Sequence, residues 1–476
     1  MNNRENMLSS MNPHTTTGAL TDTEMLLVDV FEGGKRVLRS LLLPLDAHEP
    51  GGLLEYLWQA ELNAVWVMPA TIWSRSITCS WFEQVKSQWV VVVHPAPHES
   101  DRSACALLWP KGSNPQADRR LILVFPEHAG WNWKLPDPTS LLATVTYLDQ
   151  LLARPVIDGP TLIAHRLLTE LVLDQSTSSF RSSPVDLDIL RSADGTPIPL
   201  QKQVRDLMWM RPLTLAEQRQ KYLHKYTHFS YHLEACMSVQ LGAGTPQYSS
   251  RGRAYDGIRP GIWRVSGERG GSVFDGKRLP SCLDEEWMST PQVQCCRDIG
   301  YQIQISEGYF WPESHNGLKR WATTLWQAAE RLHTHPHIYK HAVGRANASA
   351  SIKKLAQVGL DILAREKAAG GWFQPDWWTH IIGRSRATLF AHLVNLVKRG
   401  TMPVLLNGDA FWVVSDNPNP LTAVPGLLAA RKWNGYTASY EVPLPLSREV
   451  GEVFRTAEHA DQAATMLDTL ANEGSL

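Results

Sequence analysis

The stretch Pro403-Val404-Leu405-Leu406-Asn407-Gly408-Asp409-Ala410-Phe411-Trp412-Val413-Val414-Ser415-Asp416 reads as two apolar strands folded about a short polar turn. Asn-Gly between alternating apolar runs is a strong hairpin signal, because both turn positions require positive φ and these residues tolerate it. The turn is expected at Asn407-Gly408, with a lone acid, Asp409, at the tip. A carboxylate there suits three tasks: holding a metal, capping the turn, or closing the wing of a DNA-binding domain.

Just upstream, 376–383 and 386–400 read as two helices with Arg384-Ser385 at the turn between them. That pattern resembles the winged-helix family of bacterial regulators, whose recognition helix lies in the major groove; the Asn407 hairpin would be its wing. Charge agrees with nucleic-acid contact. Between Arg345 and Arg399 nine bases (Arg345, Lys353, Lys354, Arg365, Lys367, Arg384, Arg386, Lys398 and Arg399) face three acids (Asp361, Glu366 and Asp376), an excess of +6. If half of those bases met phosphates, the log-log dependence of affinity on salt would have a slope of roughly −3 to −4. The bland alternative is a solvated helix face.

The rest of the chain bounds the answer. At 476 residues it is too long for one core and predicts two to four domains. A net charge of −1 leaves no global field toward nucleic acid or membrane, so any basic footprint is local. The six cysteines (Cys79, Cys105, Cys236, Cys282, Cys295 and Cys296) show no zinc-type spacing and read as reduced thiols of a cytoplasmic protein. No run reaches the roughly 18 to 20 apolar residues of a membrane span. Nineteen tryptophans are expected in cores and interfaces, with some able to stack on bases.

Strand and helix patterns alternate from about residue 24 to 174, behind a polar tail over 1–23. Strands fit 25–30, 36–43, 64–68, 89–94, 104–109 and 121–125, and helices fit 53–62, 138–152 and 159–173. An α/β (α+β) protein with a mixed sheet is expected. Residues 175–215 read as a linker, 216–420 as a second domain, and 421–476 as a C-terminal helical segment with one amphipathic helix over 448–471.

Tyr226-Thr227-His228-Phe229-Ser230-Tyr231-His232-Leu233-Glu234-Ala235 resembles the first palm motif of family B DNA polymerases, in which an aspartate at a strand end begins Asp-x-x-Ser-Leu-Tyr. Thr227 stands at the aspartate position, Ser230 matches the serine, and His232 replaces the tyrosine. Asn407-Gly408-Asp409 resembles the Asp-Thr-Asp hairpin of the same family's third motif, with only the second acid kept. Segments between them are similar in texture and order to bacterial polymerase-B-like proteins of mobile or linear replicons, among them Leu241-Gly242-Ala243-Gly244-Thr245-Pro246, Pro260-Gly261-Ile262-Trp263, Glu307-Gly308-Tyr309-Phe310-Trp311-Pro312 and Gln374-Pro375-Asp376-Trp377.

The resemblance implies a ribonuclease-H-like exonuclease-type domain followed by a palm/fingers-like domain. It makes Asp409, Thr227 and Asn407 the catalytic positions, Asp409 the residual magnesium ligand, and Lys340 and Tyr339 the residues facing an incoming nucleotide. DNA is the implied partner, with Arg384, Arg386, Lys398 and Arg399 as backbone contacts, and replication proteins are further candidates. Two-metal nucleotidyl transfer needs carboxylates, and a threonine hydroxyl is a poor neutral substitute. The resemblance thus implies lost or impaired polymerisation. The exonuclease-type strand would carry Asp29, with Phe31 in the glutamate's place and Asp149 as a second acid. A winged-helix regulator without enzymatic activity and a tryptophan-rich scaffold for protein partners are the competing readings. They separate on one point: a palm sets the Tyr226 strand beside the Asn407 hairpin, whereas a wing packs that hairpin on the Arg386 helix.

Overall fold

The computed structural model describes residues 17–20, 25–32, 35–42, 49–60, 62, 64–68, 79–95, 103–112, 120–127, 129–156, 158–173, 190–196, 198, 208–227, 231–267, 273–274, 277–278, 286–365, 372–408, 410–424, 439–440 and 444–473. The chain forms two compact units: Met1–Glu170 with Thr324–Gly359, and Leu171–Thr323 with Leu360–Leu476. It is a mixed α/β protein with several sheets and, among the described residues, twelve helices.

The first unit begins with β1 (Thr17–Leu20), β2 (Met25–Glu32), β3 (Lys35–Leu42), α1 (Pro50–Gln59), β4 (Ala64–Val67), α2 (Cys79–Val85), β5 (Trp89–Pro95), β6 (Ser103–Pro110) and β7 (Leu121–Val124). Its seven strands are ordered β3-β2-β1-β4-β7-β6-β5. The pairs β1–β4 and β4–β7 are parallel, and the other neighbours are antiparallel. β4 and β7 are apolar at every position and buried on both faces, as inner parallel strands require. Val65, Val67, Leu121 and Leu123 meet Leu53, Leu54 and Leu57 of α1 and Trp81 and Phe82 of α2 on one face. α3 (Pro138–Leu152) packs on β1, and α4 (Pro160–Leu173) follows. Asp137 sets the start of α3 by accepting the Ser140 N–H at 2.8 Å. β1 lies inside the stretch read as a polar tail, and it is the strand that joins the β2–β3 hairpin to the parallel part of the sheet.

The second unit contains β8 (Met208–Met210), β9 (Tyr222–Thr227), α5 (Tyr231–Ser238), β10 (Leu241–Ala243), β11 (Gln247–Ser250), β12 (Gly261–Gly267), the short pair β13 (Val273–Phe274) and β14 (Lys277–Arg278), β15 (Trp287–Ser289), α6 (Thr290–Asp298), β16 (Ile303–Phe310) and β17 (Glu313–His315). α7 (Lys319–Thr334) and α8 (Ala342–Ala364) come next, and residues 324–359 of this pair belong to the first unit. α9 (Pro375–Lys398), β18 (Leu405–Asn407), β19 (Ala410–Ser415), α10 (Pro420–Ala423), β20 (Ser439–Tyr440), β21 (Leu444–Pro445), α11 (Arg448–Thr456) and α12 (Ala460–Glu473) complete the second unit.

The central sheet of the second unit runs β20-β9-β19-β18-β8, with β21 also on β9. Period-two alternation splits its side chains between two cores. Tyr226, Leu406, Phe411 and Val413 meet Phe390, Leu393, Val394 and Val397 of α9, each of which contributes about 1.5–3 kcal/mol when fully buried. Leu223, Leu405, Ala410 and Trp412 face Val450, Val453 and Phe454 of α11 and Ala463, Ala464 and Leu467 of α12. A second sheet, β11-β16-β12-β15, carries Trp263 in its core.

Three sequence expectations are corrected here. The two helices of the winged-helix reading are one continuous helix, α9. Gly383 serves close packing and not a turn, since a Cβ there would lie 2.0 Å from Ser289 Oγ. Ser385 is buried and donates its hydroxyl back to the Ile381 carbonyl at 2.9 Å, which keeps it inside a helix. The C-terminal segment is two helices and not one, because Ala457 is extended and Gln462 Oε1 caps the Glu458 N–H at 2.9 Å. Cys105, Cys236 and Cys295 are buried free thiols, but Cys296 is disulfide-bonded, so the expectation of six reduced thiols fails there.

Candidate functional site

β9 sets the rings of Tyr222, His224 and Tyr226 on one face and Leu223, Lys225 and Thr227 on the other and ends at Thr227, and its neighbour is the hairpin strand β19, with Thr227 opposite Ala410. Across the hairpin, Ala410 lies opposite Asn407, and Asn407 lies opposite Met208. On the other flank Thr227 pairs with Ser439. A transverse row, Ser439–Thr227–Ala410–Asn407–Met208, therefore crosses the end of the sheet. Two strand spacings separate the backbones of Thr227 and Asn407, or about 10 Å. The Tyr226 segment and the Asn407 hairpin meet side by side. The hairpin is a strand of the central sheet, not a wing.

The turn itself is shifted by one residue from the expectation. Asn407 is a strand residue paired with Ala410, and Gly408, at φ 58°, follows it. Gly408 supplies the left-handed conformation that the turn requires. Asp409 and Ser230 lie outside the described residues.

Alternation places Thr227 and Asn407 on the face that carries Leu223, Leu405 and Trp412, the side covered by α11 and α12. Lys225, two residues before Thr227, shares that face. Its Nζ is 2.8 Å from Asp468 Oδ1 of α12 and 5.5 Å from the centre of the Trp412 ring. Sequence inspection missed Lys225, although the period of two in Tyr222–Thr227 already sets it beside Thr227.

Magnesium asks for hard anionic oxygens in near-octahedral array. The row offers a hydroxyl and an amide, both neutral, and a fixed ammonium close by. No group of three or more His, Cys, Asp or Glu side chains among the described residues is placed to hold a metal. The described donors do not fit a two-ion magnesium centre.

Behind the row, His232 on α5 reaches α9, with Nδ1 3.0 Å from Ser385 Oγ. Because the Ser385 hydroxyl donates to Ile381, Nδ1–H of His232 is the donor of this bond. His232 is thus a strut between two helices. Tyr226 is stacked on Phe411 at 5.3 Å and donates its hydroxyl to the Pro420 carbonyl at 2.7 Å; burial pushes its pKa up.

The proposed DNA contacts divide. Arg384, Lys398 and Arg399 are exposed on α9, and Arg386 is half-buried. At 100° per residue, Lys398 and Arg399 fall within roughly 60° of Arg384 around the helix, whereas Arg386 lies roughly 160° away. The three share one side of the helix, with Arg386 on the opposite arc. The wider basic run also divides, because Arg345, Lys353 and Lys354 belong to the first unit.

Tyr339 and Lys340 belong to the first unit as well, in the connection between α7 and α8. Tyr339 is buried, its ring is 5.1 Å from Tyr147 in an edge contact, and its carbonyl accepts Arg345 Nη1–H at 3.0 Å. It is a packing residue there, while Lys340 is exposed. Of the exonuclease-type acids, Asp29 lies on β2 opposite Leu38 and Thr17, and β1, the strand parallel to β4, carries no acid. Asp149 closes the end of α3 by accepting the Val156 N–H at 2.7 Å.

No family model matches the chain, and no curated protein matches it. Among solved structures it is similar to phi29 DNA polymerase bound to primer-template DNA and incoming nucleotides. That likeness has a TM-score of 0.46 and 9% identity, and covers 91% of this chain and 84% of the polymerase. Phi29 DNA polymerase complexed with single-stranded DNA gives 0.37 and 9%, over 86% and 82% of the two chains. The family B DNA polymerase of the hyperthermophilic archaeon Pyrobaculum calidifontis gives 0.38 and 9%, over 98% of this chain and 63% of that one.

Proposed function

We propose that this chain is a DNA-binding protein built on the plan of a family B DNA polymerase, with a nucleotide-joining centre that keeps one carboxylate of three, Asp409, and whose polymerase activity is lost or severely impaired. The observation that carries the reading is the register Thr227–Ala410–Asn407, which brings two distant segments to the same end of one sheet. That juxtaposition is what a palm demands, and here neutral side chains and Lys225 occupy it. The first unit is read as a degenerate ribonuclease-H-like domain, supported by its strand order and by β1 lying parallel to β4. Magnesium, if bound at all, rests on Asp409 alone. The role this suggests is holding primed or single-stranded DNA during replication or maintenance of a mobile or linear replicon, beside replication proteins. Among the described residues no helix is long and apolar enough to cross a membrane.

The test is anisotropy of a fluorescein-labelled primed template titrated with the full chain at several salt concentrations. Affinity should fall steeply, with a log-log slope of roughly −3 to −4. Binding that is absent, or indifferent to salt, contradicts the proposal. The winged-helix alternative has lost its structural basis, because α9 has no turn.

A further inference from the structure

We infer that the connection between β11 and β12, residues 251–260, is a second DNA contact, gripping the phosphate backbone through Arg251 and Arg253. The inference rests on the DNA-binding reading above and adds a surface that none of its residues includes. Arg251 is one of two non-glycine residues with positive φ among those described, at 59°, and Gly252 follows at 60°. Two successive left-handed residues are normally Asn-Gly or Gly-Gly, since a long side chain there is strained. Glycine is needed at 252, where a Cβ would lie 2.5 Å from Ile305. Nothing in the packing asks for arginine at 251.

The loop is firmly built. The Arg251 N–H donates to the Ser306 carbonyl at 2.8 Å, the Ala254 N–H to Ser249 Oγ at 3.1 Å, and the Tyr255 N–H to the Gly252 carbonyl at 3.1 Å. Tyr255 anchors it with an edge contact on Trp263 at 5.3 Å and a hydrogen bond to Gln294 Oε1 at 3.2 Å. The cations around it are engaged internally. Arg259 pairs with Asp256 at 3.4 Å and lies over Phe310, and Arg297 lies over Tyr255 at 4.5 Å. Arg251 and Arg253 are exposed and meet no acid or ring among the described residues. A rigid loop that holds one arginine in a strained backbone, two residues from another, is preorganised to meet two phosphates at little backbone ordering cost, leaving only the side-chain rotamers to be fixed. Ile258, in the same connection, is 79% exposed.

The experiment repeats the anisotropy titration with Arg251→Gly, Arg253→Ala and the double variant, alongside thermal melts. Arg251→Gly should melt at or above the wild-type temperature, because glycine suits the left-handed position, and still lose affinity. The double variant should bind roughly tenfold more weakly at moderate salt, with a salt slope shallower by about 1 to 2. Unchanged affinity and slope in the double variant, while wild type binds with salt dependence, overturns the loop and leaves the broader reading standing. A lower melting temperature for Arg251→Gly overturns it too, since the arginine would then be structural. A wild-type chain that does not bind DNA sinks both.

Discussion

Two sheets of the second unit put polar groups at their centres, and they do so in opposite ways. On β16, Glu307 is a carboxylate only 4% exposed, and every oxygen is used. Oε1 accepts from Arg264 at 3.0 Å, and Oε2 accepts the Tyr248 hydroxyl at 2.9 Å and the Ala193 N–H at 2.7 Å. At the end of the central sheet, the row through Thr227, Ala410 and Asn407 has no described carboxylate, and a lysine stands next to it. The first site is closed by protein donors and leaves no room for a cation. The second offers a hydroxyl and an amide among its described side chains. A buried carboxylate in this unit therefore holds the fold together, and on the proposed reading the row is where charge has been lost.

Breaking the Glu307 site should have the largest effect. Glu307→Ala removes the shared acceptor of the Tyr248 hydroxyl, the Ala193 N–H and Arg264, which keeps Glu286 and Asp194 as partners, and should destabilise the chain by about 3 kcal/mol in urea unfolding. A loss below about 1 kcal/mol would mean that the network is dispensable.

A second buried carboxylate sharpens the contrast. Asp376, in the first turn of α9, is fully buried, and its Oδ2 has no partner among the described residues; burial pushes its pKa up from 3.8 to about 7. Between these values the folded state holds a proton that the unfolded state releases, so this residue's contribution to stability falls as pH rises from about 4 to about 7. The ceiling is roughly 4 kcal/mol, at about 1.4 kcal/mol per unit. His380, whose pKa burial lowers, acts with the opposite sign. The difference between wild type and Asp376→Asn isolates the acid. The variant should gain relative stability at pH 8 over pH 5, by about 2 kcal/mol on allowance for relaxation; a difference that does not vary with pH would refute the assignment.

Restoring charge to the row is a smaller change in free energy. Thr227→Asp with Asn407→Asp should raise manganese affinity about tenfold by calorimetry, and adding Lys225→Met should raise it further. If wild type already binds manganese as tightly as the variant, the neutralised-site account is wrong. The smallest effect expected is that of Tyr248→Phe, which removes one hydroxyl donor from Glu307 and should cost about 1 kcal/mol.

Much of this was legible in the sequence, and what was not has identifiable causes. The hairpin strands and most strands and helices of 25–173 follow from periodicity, because burial on one face or both imposes it, whereas α2 went unread and the Tyr226 strand came from the motif resemblance. β1 was hidden because four residues, Thr-Gly-Ala-Leu, become a strand only through pairing with β2 and β4. α9 was divided in two because Gly and Ser read locally as breakers. Here the glycine answers to Ser289 and the serine to its own helix, contacts that no local window contains. Tyr339 looked like a ligand-facing residue and is packed on Tyr147, 192 positions away in the chain. At the site, the pairing of the two distant segments was foreseen from their motifs. Lys225, which stands on the face of the row paired with Asp468, was available from alternation alone and went unweighed.

The most direct test is primer extension by the purified full chain on a primed template, with magnesium and then manganese, in parallel with binding of the same DNA. The account predicts salt-dependent binding and no extension with either metal. Extension that disappears in Asp409→Ala would show a working nucleotide-joining centre and contradict it.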